Sequence, residues 1–260
     1  MSGYHLRFLG VGAALATELG SASAVLERDG EPLLLIDCGQ EALTAYLARY
    51  GEPPAALYLT HVHLDHVAGM ERLFVKSYFD AERRGRTRLY VPAPLVPLLQ
   101  GRIADYPGVL AEGGANYWDA FQLVPHSRGF WHQGLWFEVF PTRHHAPGTS
   151  FGVRLQGAFA YTGDTRPIPE VLATVASAGE LVAHDCGLVG NPSHTGLDDL
   201  EREYPAELRG RMLLYHYGSA AHGEQLAARG YRIATPGAAF ALAAPDAAVQ
   251  VAGTASGAAG

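Results

Sequence analysis

A segment that can bind metal ions constrains this chain more than any other feature of its sequence. Three histidines and an aspartate fall within six residues, in the pattern H-x-H-x-D-H that begins at His61. They follow a strand-like apolar run at residues 56–60, and an extended chain would place His61 and His63 on one face. Asp65 and His66 follow, where the chain can begin a helix. A helix would direct these two side chains towards a neighbouring point. The segment therefore predicts two adjacent metal ions, with ligands that suit zinc, iron or manganese.

The bulk properties favour one domain and argue against several functions. The chain has 260 residues, 48% of them hydrophobic, which suffices for a single α/β domain with a large core. Its net charge is −7, which argues against an extended nucleic-acid footprint but is compatible with a small anionic substrate held by metal ions. Its only cysteines, Cys38 and Cys186, form no disulfide framework and fit a reducing cytoplasm. With no apolar signal core and no stretch of the roughly 18–20 residues that a span needs, we expect no membrane association.

Strand-like and helix-like segments alternate along two halves of the chain. The residues Asp29-Gly30 between apolar runs predict a hairpin turn. Strands are predicted at residues 6–10, 23–27, 33–37, 56–60, 88–91, 135–140, 151–155, 159–162, 181–184 and 212–216. Helices are predicted at residues 41–50, 67–78, 95–106, 169–178, 197–204 and 223–229. This order favours two packed sheets covered outside by helices, in one domain over residues 1–244, followed by a poorly packed Ala/Gly-rich tail at residues 245–260.

Residues 107–134 are loop-like and rich in aromatic side chains. Their pattern fits either a packed surface excursion or a flap that covers a substrate.

Further residues that can bind metal recur singly at the ends of predicted strands. Such residues converge at one sheet edge, as active sites on layered folds commonly do. They are His144 and His145, Asp164, His184 and Asp185, His194, and His216. Four other histidines, His5, His126, His132 and His222, have no motif around them and are interpreted as non-ligands.

Taken in order, these motifs resemble the metallo-β-lactamase superfamily. The resemblance covers residues 6–242 and includes the turn at residues 9–13, the strand ending in Asp37, the H-x-H-x-D-H segment, the turn around Asp164 and the terminal His216. It implies a four-layer αββα sandwich of two mixed sheets with helices outside.

The resemblance also implies a ligand set for two divalent ions, with zinc expected and manganese or iron as alternatives. His61, His63 and His145 would bind the first ion; Asp65, His66 and His216 would bind the second; Asp164 would bridge them, with a water or hydroxide between the ions. His144 competes with His145 for the third position. The spacing to Phe151 favours His145, although it is one residue longer than in the family.

Within the superfamily the chain resembles the branch of ribonuclease Z and small phosphodiesterases. Asp164 stands where β-lactamases have a cysteine, and His184-Asp185 precedes a loop that contains His194. In ribonuclease Z the acid of the first pair is a glutamate rather than an aspartate, and a long basic arm, which this sequence does not show, holds tRNA. These two differences argue against tRNA processing and favour a small phosphodiester, cyclic or nucleotide-like.

Three residues are predicted to act in catalysis. Asp65 would accept a proton or orient the nucleophile as well as bind metal. His194 would donate a hydrogen bond to the substrate or protonate the leaving group, because imidazole titrates near working pH. Asp185 would hold the ring of His194 or of a ligand. The alternatives are a turn residue for Asp185 and an ordinary loop histidine for His194.

The sequence leaves four functions to compare. The first is a dinuclear metal phosphodiesterase acting on a small anionic molecule. The second is a metal-dependent acyl hydrolase of a lactone, thioester or β-lactam. The third is a non-catalytic metal-binding regulatory protein, which the intact ligand set argues against. The fourth, an oxidoreductase, would need iron and a flavin domain. A homodimer is expected from the resemblance alone.

Overall fold

The computed structural model describes residues 3–105 and 113–246 as fourteen strands and a set of mostly short helices. The strands are β1 (Tyr4–Gly10), β2 (Ser23–Arg28), β3 (Glu31–Ile36), β4 (Ala56–Tyr58), β5 (Thr87–Pro92), β6 (Phe121–His126), β7 (Gly129–His132), β8 (Leu135–Pro141), β9 (Phe151–Leu155), β10 (Phe159–Tyr161), β11 (Leu181–Asp185), β12 (Met212–Tyr215), β13 (Arg232–Ile233) and β14 (Ala239–Leu242). The α-helices are α1 (Ala42–Tyr50), α2 (Leu64–Val67), α3 (Gly69–Tyr78), α4 (Val96–Leu99), α5 (Pro169–Val175), α6 (Leu197–Glu203), α7 (Ala206–Arg209) and α8 (Ala220–Ala228).

Two mixed sheets of seven strands repeat one pattern. The first has the order β14-β1-β2-β3-β4-β5-β6, antiparallel from β14 to β3 and parallel from β3 to β6. The second has the order β13-β12-β11-β10-β9-β8-β7, antiparallel from β7 to β10 and parallel from β10 to β13. Because parallel strands end at the same edge of a sheet, the residues that follow β3 and β4 lie at one edge of the first sheet, and those that follow β10, β11 and β12 lie at one edge of the second.

Successive side chains along the strands of the first sheet belong alternately to two hydrophobic cores. Leu34 and Ile36 of β3 point into the core between the sheets, whereas Leu35 points to the helical side. In β4, Tyr58 and Leu57 divide in the same way. Helices α1 and α3 cover the outer face of the first sheet, and buried residues of α5 and α6 pack onto the second. The predicted four-layer αββα sandwich is therefore confirmed.

The hairpin predicted at Asp29-Gly30 is present and sets the register of β3. Both residues have positive φ, 56° for Asp29 and 86° for Gly30, as a two-residue type I′ turn requires. The register pairs Leu26 with Leu34 and Ala24 with Ile36, so β3 ends directly before Asp37. The hairpin thus delivers Asp37 to the edge where the parallel strands end.

The loop-like interpretation of residues 107–134 is wrong where the structure describes them. Residues 106–112 lie outside the described part, but a short 3-10 helix follows at Tyr117–Ala120, and β6 and β7 come next. Tyr117 and Phe130 are buried in the two cores rather than exposed. The strands were missed because each is the outermost strand of its sheet, and in β6 only the two end residues are buried.

Other differences concern the ends of elements. The helix predicted at residues 95–106 is divided into a 3-10 turn at Ala93–Leu95, α4 and a π-helical turn at Gln100–Ala104. Strand β14 was missed in the Ala-rich segment before the predicted tail. Of that tail, only residues 245 and 246 lie inside the described part, so the tail and the domain boundary stay predictions. Among the described residues, none of the helices has the length and apolar character needed to cross a membrane.

Candidate metal centre

The H-x-H-x-D-H segment turns from an extended chain into a helix, as its sequence predicts. His63 has extended backbone angles and directly precedes α2, whose first turn carries Asp65 and His66. The backbone of α2 lies against the loop after β3, where a Cβ on Gly39 would come within 1.9 Å of the carbonyl oxygen of Asp65. Only glycine at this position permits so close an approach, and the approach brings His66 next to the end of β3.

Three groups of side chains can offer metal-binding atoms, all within 4.8 Å of one another inside each group. The first is His61, His63, His144 and Asp164; the second is Asp65, His66, Asp164 and His216; the third is Asp164, Asp185, His194 and His216. Asp164 belongs to all three, which places its carboxylate at the centre of the cluster. Asp164 therefore lies among the residues for which the family resemblance implies two ions.

Four imidazoles lie within 3.7 Å of the buried carboxylate of Asp164. Its Oδ2 lies 3.7 Å from Nε2 of His61 and 3.7 Å from Nε2 of His144. Nε2 of His216 lies 3.3 Å from Oδ2, and Nε2 of His66 lies 3.3 Å from Oδ1. These distances are longer than those of good hydrogen bonds, so the atoms face the same region without being bonded to one another.

The buried polar atoms of this cluster fit a metal centre. Nε2 of His61, His66 and His216 and Oδ1 of Asp164 have no hydrogen-bond partner among the described residues. A buried polar atom without a partner costs about 1–3 kcal/mol, and four such atoms facing one region are hard to explain as packing. Imidazole nitrogens and carboxylate oxygens are ligands of zinc and similar divalent cations. The residues present therefore fit the metal ions that the superfamily implies.

The charges of the cluster also favour cations. Burial would raise the pKa of Asp164, but His216 and His66 hold it well below its ordinary value of 3.8. Burial opposes the charged form of His66, yet Asp164 and Asp37 raise the pKa of His66 well above 6.5; for His216, the same balance gives a pKa of about 10. For His61, burial dominates and lowers the pKa well below 6.5. Divalent cations between these groups would replace the protons that compensate Asp164.

Asp37 contacts His66 at the ring nitrogen that faces away from the cluster, a role that sequence reasoning missed. Its Oδ2 lies 2.8 Å from Nδ1 of His66, which leaves Nε2 directed at the cluster. Thr60 donates to the same carboxylate through its backbone N–H at 2.8 Å and its hydroxyl at 2.7 Å. The sequence did contain a signal for this role, because Asp37 directly follows a buried strand and belongs to one of the motifs of the family resemblance.

The structure places His144, and not His145, in the metal-binding group. His144 is buried, and its Nδ1 lies 2.9 Å from the carbonyl oxygen of Ser193, so Nε2 points at Asp164. His145 is exposed and belongs to none of the three groups, although its Nε2 lies 2.7 Å from Nε2 of His63. The structure thus favours His144 as the third ligand, against the preference for His145 drawn from sequence spacing.

The loop that carries both histidines decides between them. The N–H of Thr142 donates to the carbonyl oxygen of Ser150 at 3.1 Å, and their hydroxyls are 2.9 Å apart. The N–H of Arg143 donates to the hydroxyl of Thr165 at 3.1 Å. These bonds turn His144 inward and His145 outward, and no spacing along the sequence reveals them.

Asp185 and His194 form a pair beside the metal-binding groups. Nδ1 of His194 lies 2.8 Å from Oδ2 of Asp185, which also accepts a bond of 2.9 Å from the N–H of Thr165. The other oxygen of Asp185 lies 3.4 Å from Nδ1 of His216. Burial would lower the pKa of His194, but the bond to Asp185 and its charge raise it above 6.5. Asp185 is fully buried and is the last residue of strand β11, so it does not lie in a turn, as the alternative interpretation had it.

An open cleft of about 700 Å³ leads to these residues. The residues that line it include His63, Asp65, Asp164, His194 and His216, together with Leu15, Val189 and His222. His222 was interpreted as a non-ligand. It lines the cleft but belongs to none of the metal-binding groups found among the described residues.

Solved structures with this fold agree with the architecture. YhfI from Bacillus subtilis, a metallo-β-lactamase fold protein, matches with a TM-score of 0.69 at 15% identity, over 92% of this chain and 99% of its own. A diphosphatase of the PhnP family matches with a TM-score of 0.70 at 20% identity, over 94% of this chain and 100% of its own. The chain therefore has the metallo-β-lactamase fold, with residues that can bind metal gathered at one site.

The family follows from the sequence comparison. The chain belongs to the family described as Anti-Pycsar protein Apyc1, whose model matches residues 4–240. A protein of that description from Saccharibacillus brassicae is 33% identical over 225 residues, covering 82% of this chain and 89% of the relative. One from Paenibacillus harenae is 30% identical over 225 residues, covering 82% and 90%. Another, from Bacillus phage 010DV004, is 29% identical over 235 residues, covering 82% and 89%.

Proposed function

We propose that this protein is a dinuclear phosphodiesterase that hydrolyses a small, cyclic or nucleotide-like phosphodiester. One ion would be held by His61, His63 and His144, the other by Asp65, His66 and His216, and both by Asp164. Zinc suits these ligands, with manganese or iron as alternatives. When bound, two such ions activate a water for in-line attack and neutralise charge that develops on the phosphoryl oxygens.

The observation that carries the proposal is the Asp185–His194 pair at the edge of the ligand set. Hydrolysis of a phosphodiester adds the oxygen of water to phosphorus and breaks the bond to one ester oxygen. That ester oxygen leaves as an alkoxide and needs a proton. With Nδ1 of His194 bonded to Asp185 at 2.8 Å, Nε2 is the nitrogen left to deliver it. An acyl hydrolase whose leaving group is a stable thiolate has less need of such a donor.

Asp65 serves in a second way in this proposal. Its Oδ2 lies 3.6 Å from Nε2 of His66 and 3.8 Å from Nε2 of His216, and its side chain remains about one-sixth exposed on the cleft side. A carboxylate that faces both the ligand set and solvent can orient the attacking water or accept its proton. We therefore assign proton acceptance to Asp65 and proton donation to His194.

The biological setting follows the family. We extend to this chain the role that the family description states, action against Pycsar, with a small anionic molecule as its partner in the cytoplasm. A homodimer stays a prediction from the family resemblance.

A substrate panel tests this function. Purified protein supplied with zinc would be assayed against 3′,5′-cyclic nucleotides and bis-p-nitrophenyl phosphate, and in parallel against a lactone, a thioester and a β-lactam. We expect hydrolysis of the phosphodiesters to monoesters, with the acyl substrates at least a hundredfold slower, roughly the contribution of one positioned proton donor. Turnover of an acyl substrate alone would replace the proposal with the acyl-hydrolase alternative. Absence of all turnover at full metal content would favour the non-catalytic one.

A further inference from the structure

One fully buried threonine is bonded to several segments of the site. Thr165 directly follows Asp164, and its backbone N–H donates to Oδ2 of Asp185 at 2.9 Å. Its hydroxyl accepts from the N–H of Arg143 at 3.1 Å, and Arg143 directly precedes His144. Thr165 is therefore bonded both to the acid that holds the proposed proton donor and to the neighbour of a proposed metal ligand.

Thr165 is also bonded to the loop that carries His194. Thr195, which is fully buried as well, donates twice to the carbonyl oxygen of Thr165, from its N–H at 3.0 Å and from its hydroxyl at 2.7 Å. A carbonyl oxygen has two lone pairs, so it can accept both bonds at once. Before His194 in the chain, the side chain of Asn191 accepts from the N–H groups of Ser193 and His194 at 2.8 and 3.0 Å. The backbone of His194 is thus held on both sides, and the hold on the later side comes from Thr165.

The hydroxyl of Thr165 uses both its proton and its acceptor capacity. While it accepts from the N–H of Arg143, it donates to the carbonyl oxygen of Arg166 at 2.6 Å. The N–H of Arg166 in turn donates to the carbonyl oxygen of Arg143 at 2.8 Å. A side chain of the same shape without the hydroxyl would therefore remove the partner of the Arg143 N–H, next to His144.

The loops of His144 and His194 also contact each other directly. Nδ1 of His144 lies 2.9 Å from the carbonyl oxygen of Ser193, the residue before His194. A carbonyl oxygen only accepts, so the proton lies on Nδ1 and Nε2 is the nitrogen left for a metal ion. The orientation of a proposed metal ligand thus depends on the loop of the proposed proton donor, and Thr165 is bonded to the segments of both.

We propose that Thr165 and Thr195 are positioning residues, which together hold the metal ligand His144 and the proton donor His194 in place relative to Asp164. This inference rests on the proposed phosphodiesterase function for the role of His194. Neither threonine lines the cleft, so both act through the residues next to them. The hydroxyl of Thr165 fixes the segment of His144, and the bonds from Thr195 to the carbonyl oxygen of Thr165 fix the segment of His194.

Removing the two hydroxyls one at a time should give two different losses. Thr165→Val keeps the shape of the side chain but leaves the N–H of Arg143 without its partner beside His144. The affinity for one of the two zinc ions should therefore fall about tenfold or more, as it does when a contact behind a metal ligand is lost. Competition with a chromogenic chelator measures this affinity.

Thr195→Val should instead affect proton donation. With 3′,5′-cyclic AMP, kcat should fall about tenfold, a part of the 10²- to 10⁴-fold that a general acid contributes. With bis-p-nitrophenyl phosphate, whose leaving group needs no proton, kcat should stay within about twofold. Zinc affinity should stay within about twofold too, because Asn191 still holds Ser193, the acceptor of His144.

Serine variants and a distant threonine provide the controls. Thr165→Ser and Thr195→Ser keep the hydroxyls and should restore zinc affinity and both rates to within about threefold of the wild type. Thr87→Val removes a buried hydroxyl that donates to the carbonyl oxygen of Pro54 at 2.9 Å, at the beginning of β5, and should change neither property. Urea denaturation checks that each variant is folded.

The other outcomes would count against the two threonines. Unchanged zinc affinity in Thr165→Val, equal losses on both substrates in Thr195→Val, or losses that the serine variants share would overturn the inference while leaving the phosphodiesterase intact. If Thr165→Val does not fold, the substrate contrast of Thr195→Val decides. If the wild type hydrolyses neither substrate, the proposed function fails, and zinc affinity then decides: weaker binding by Thr165→Val than by Thr165→Ser supports the positioning role, and equal binding overturns it.

Discussion

The carboxylate of Asp37 lies 2.8 Å from Nδ1 of His66, and both side chains are completely buried. The two residues are 29 positions apart in the sequence and meet because α2 packs against the end of β3. This contact fixes which nitrogen of His66 faces the cluster. Asp37 therefore acts on the metal centre through His66 without belonging to any of the metal-binding groups.

Replacing Asp37 with asparagine should weaken metal binding while the fold is kept. Asp37 has a φ of 60°, a conformation that asparagine tolerates well, so the backbone need not change. The variant loses the charge that orients His66, and metal affinity should fall about 10- to 100-fold. Competition with a chromogenic chelator measures this, and circular dichroism checks the fold. Unchanged affinity in a folded variant would show that the contact has no influence on the centre.

The two adjacent histidines provide a matched pair of variants. His144→Ala should lose about half of the bound metal, because a ligand of one of two ions is removed, whereas His145→Ala should keep all of it. Elemental analysis of protein purified without chelator measures the metal content. The reverse result, with loss only in His145→Ala, would restore the assignment made from sequence spacing and refute the loop geometry around Thr142.

His194→Ala should slow hydrolysis in a way that depends on the leaving group. With a cyclic nucleotide, whose leaving oxygen is strongly basic, kcat should fall about 10²- to 10⁴-fold, the usual contribution of a general acid. With bis-p-nitrophenyl phosphate, whose leaving group needs no proton, the loss should be about tenfold or less. Steady-state rates on the two substrates measure the contrast. Equal losses would mean that His194 serves the metal centre or the fold rather than the leaving group.

A buried ion pair far from the centre should make stability depend on pH. Glu180 is fully buried and accepts bonds of 2.8 and 2.6 Å from Arg154, and its pKa is lowered from 4.5 because backbone donors and Arg154 outweigh burial. A lowered pKa stabilises the folded state above about pH 4.5, and this contribution disappears as the pH falls through the folded-state pKa. Glu180→Gln should therefore cost about 3 kcal/mol in the free energy of unfolding at pH 7.

Urea denaturation of the wild type and of Glu180→Gln at several pH values tests this dependence of stability on pH. The difference in free energy of unfolding between wild type and Glu180→Gln should begin to narrow below about pH 4.5, where the unfolded chain binds the proton, and should disappear as the pH falls through the lowered folded-state pKa of Glu180. A difference that stays constant down to pH 3 would show that the charge of Glu180 contributes nothing. Glu138→Gln is a useful comparison, because Glu138 also bonds to Arg154, at 3.0 Å, but is 40% exposed and should matter much less.

The sequence predicts the parts of the fold and site whose information is local. The H-x-H-x-D-H segment holds four candidate ligands on a strand end and the next helical turn, so short-range geometry suffices. The Asp29-Gly30 hairpin is likewise local, and two positive φ values confirm it. Asp164 and His216 were recognised as candidates at the ends of predicted strands, the family resemblance implied their roles, and the structure brings both to the cluster.

The parts that the sequence could not predict depend on distant contacts. The choice of His144 over His145 rests on bonds from their loop to Ser150 and Thr165. The role of Asp37 needs the packing of α2. The strands β6 and β7 escaped because both lie at the edge of their sheets, where β6 buries only its two end residues and β7 is only four residues long. In each case the residue that decides the outcome is too distant along the sequence to form a recognisable local pattern.

Titration of metal-free protein with zinc, with phosphodiester turnover measured at each step, decides whether this protein is a dinuclear phosphodiesterase. Protein stripped with a chelator would receive zinc in steps, with the rate of cyclic nucleotide hydrolysis followed at each ratio of metal to chain. We expect no turnover without metal and a rise that levels off at about two ions per chain, as a dinuclear centre requires. Turnover that is unaffected by metal removal, or that is absent at every ratio in protein that binds two ions, would contradict the proposed function.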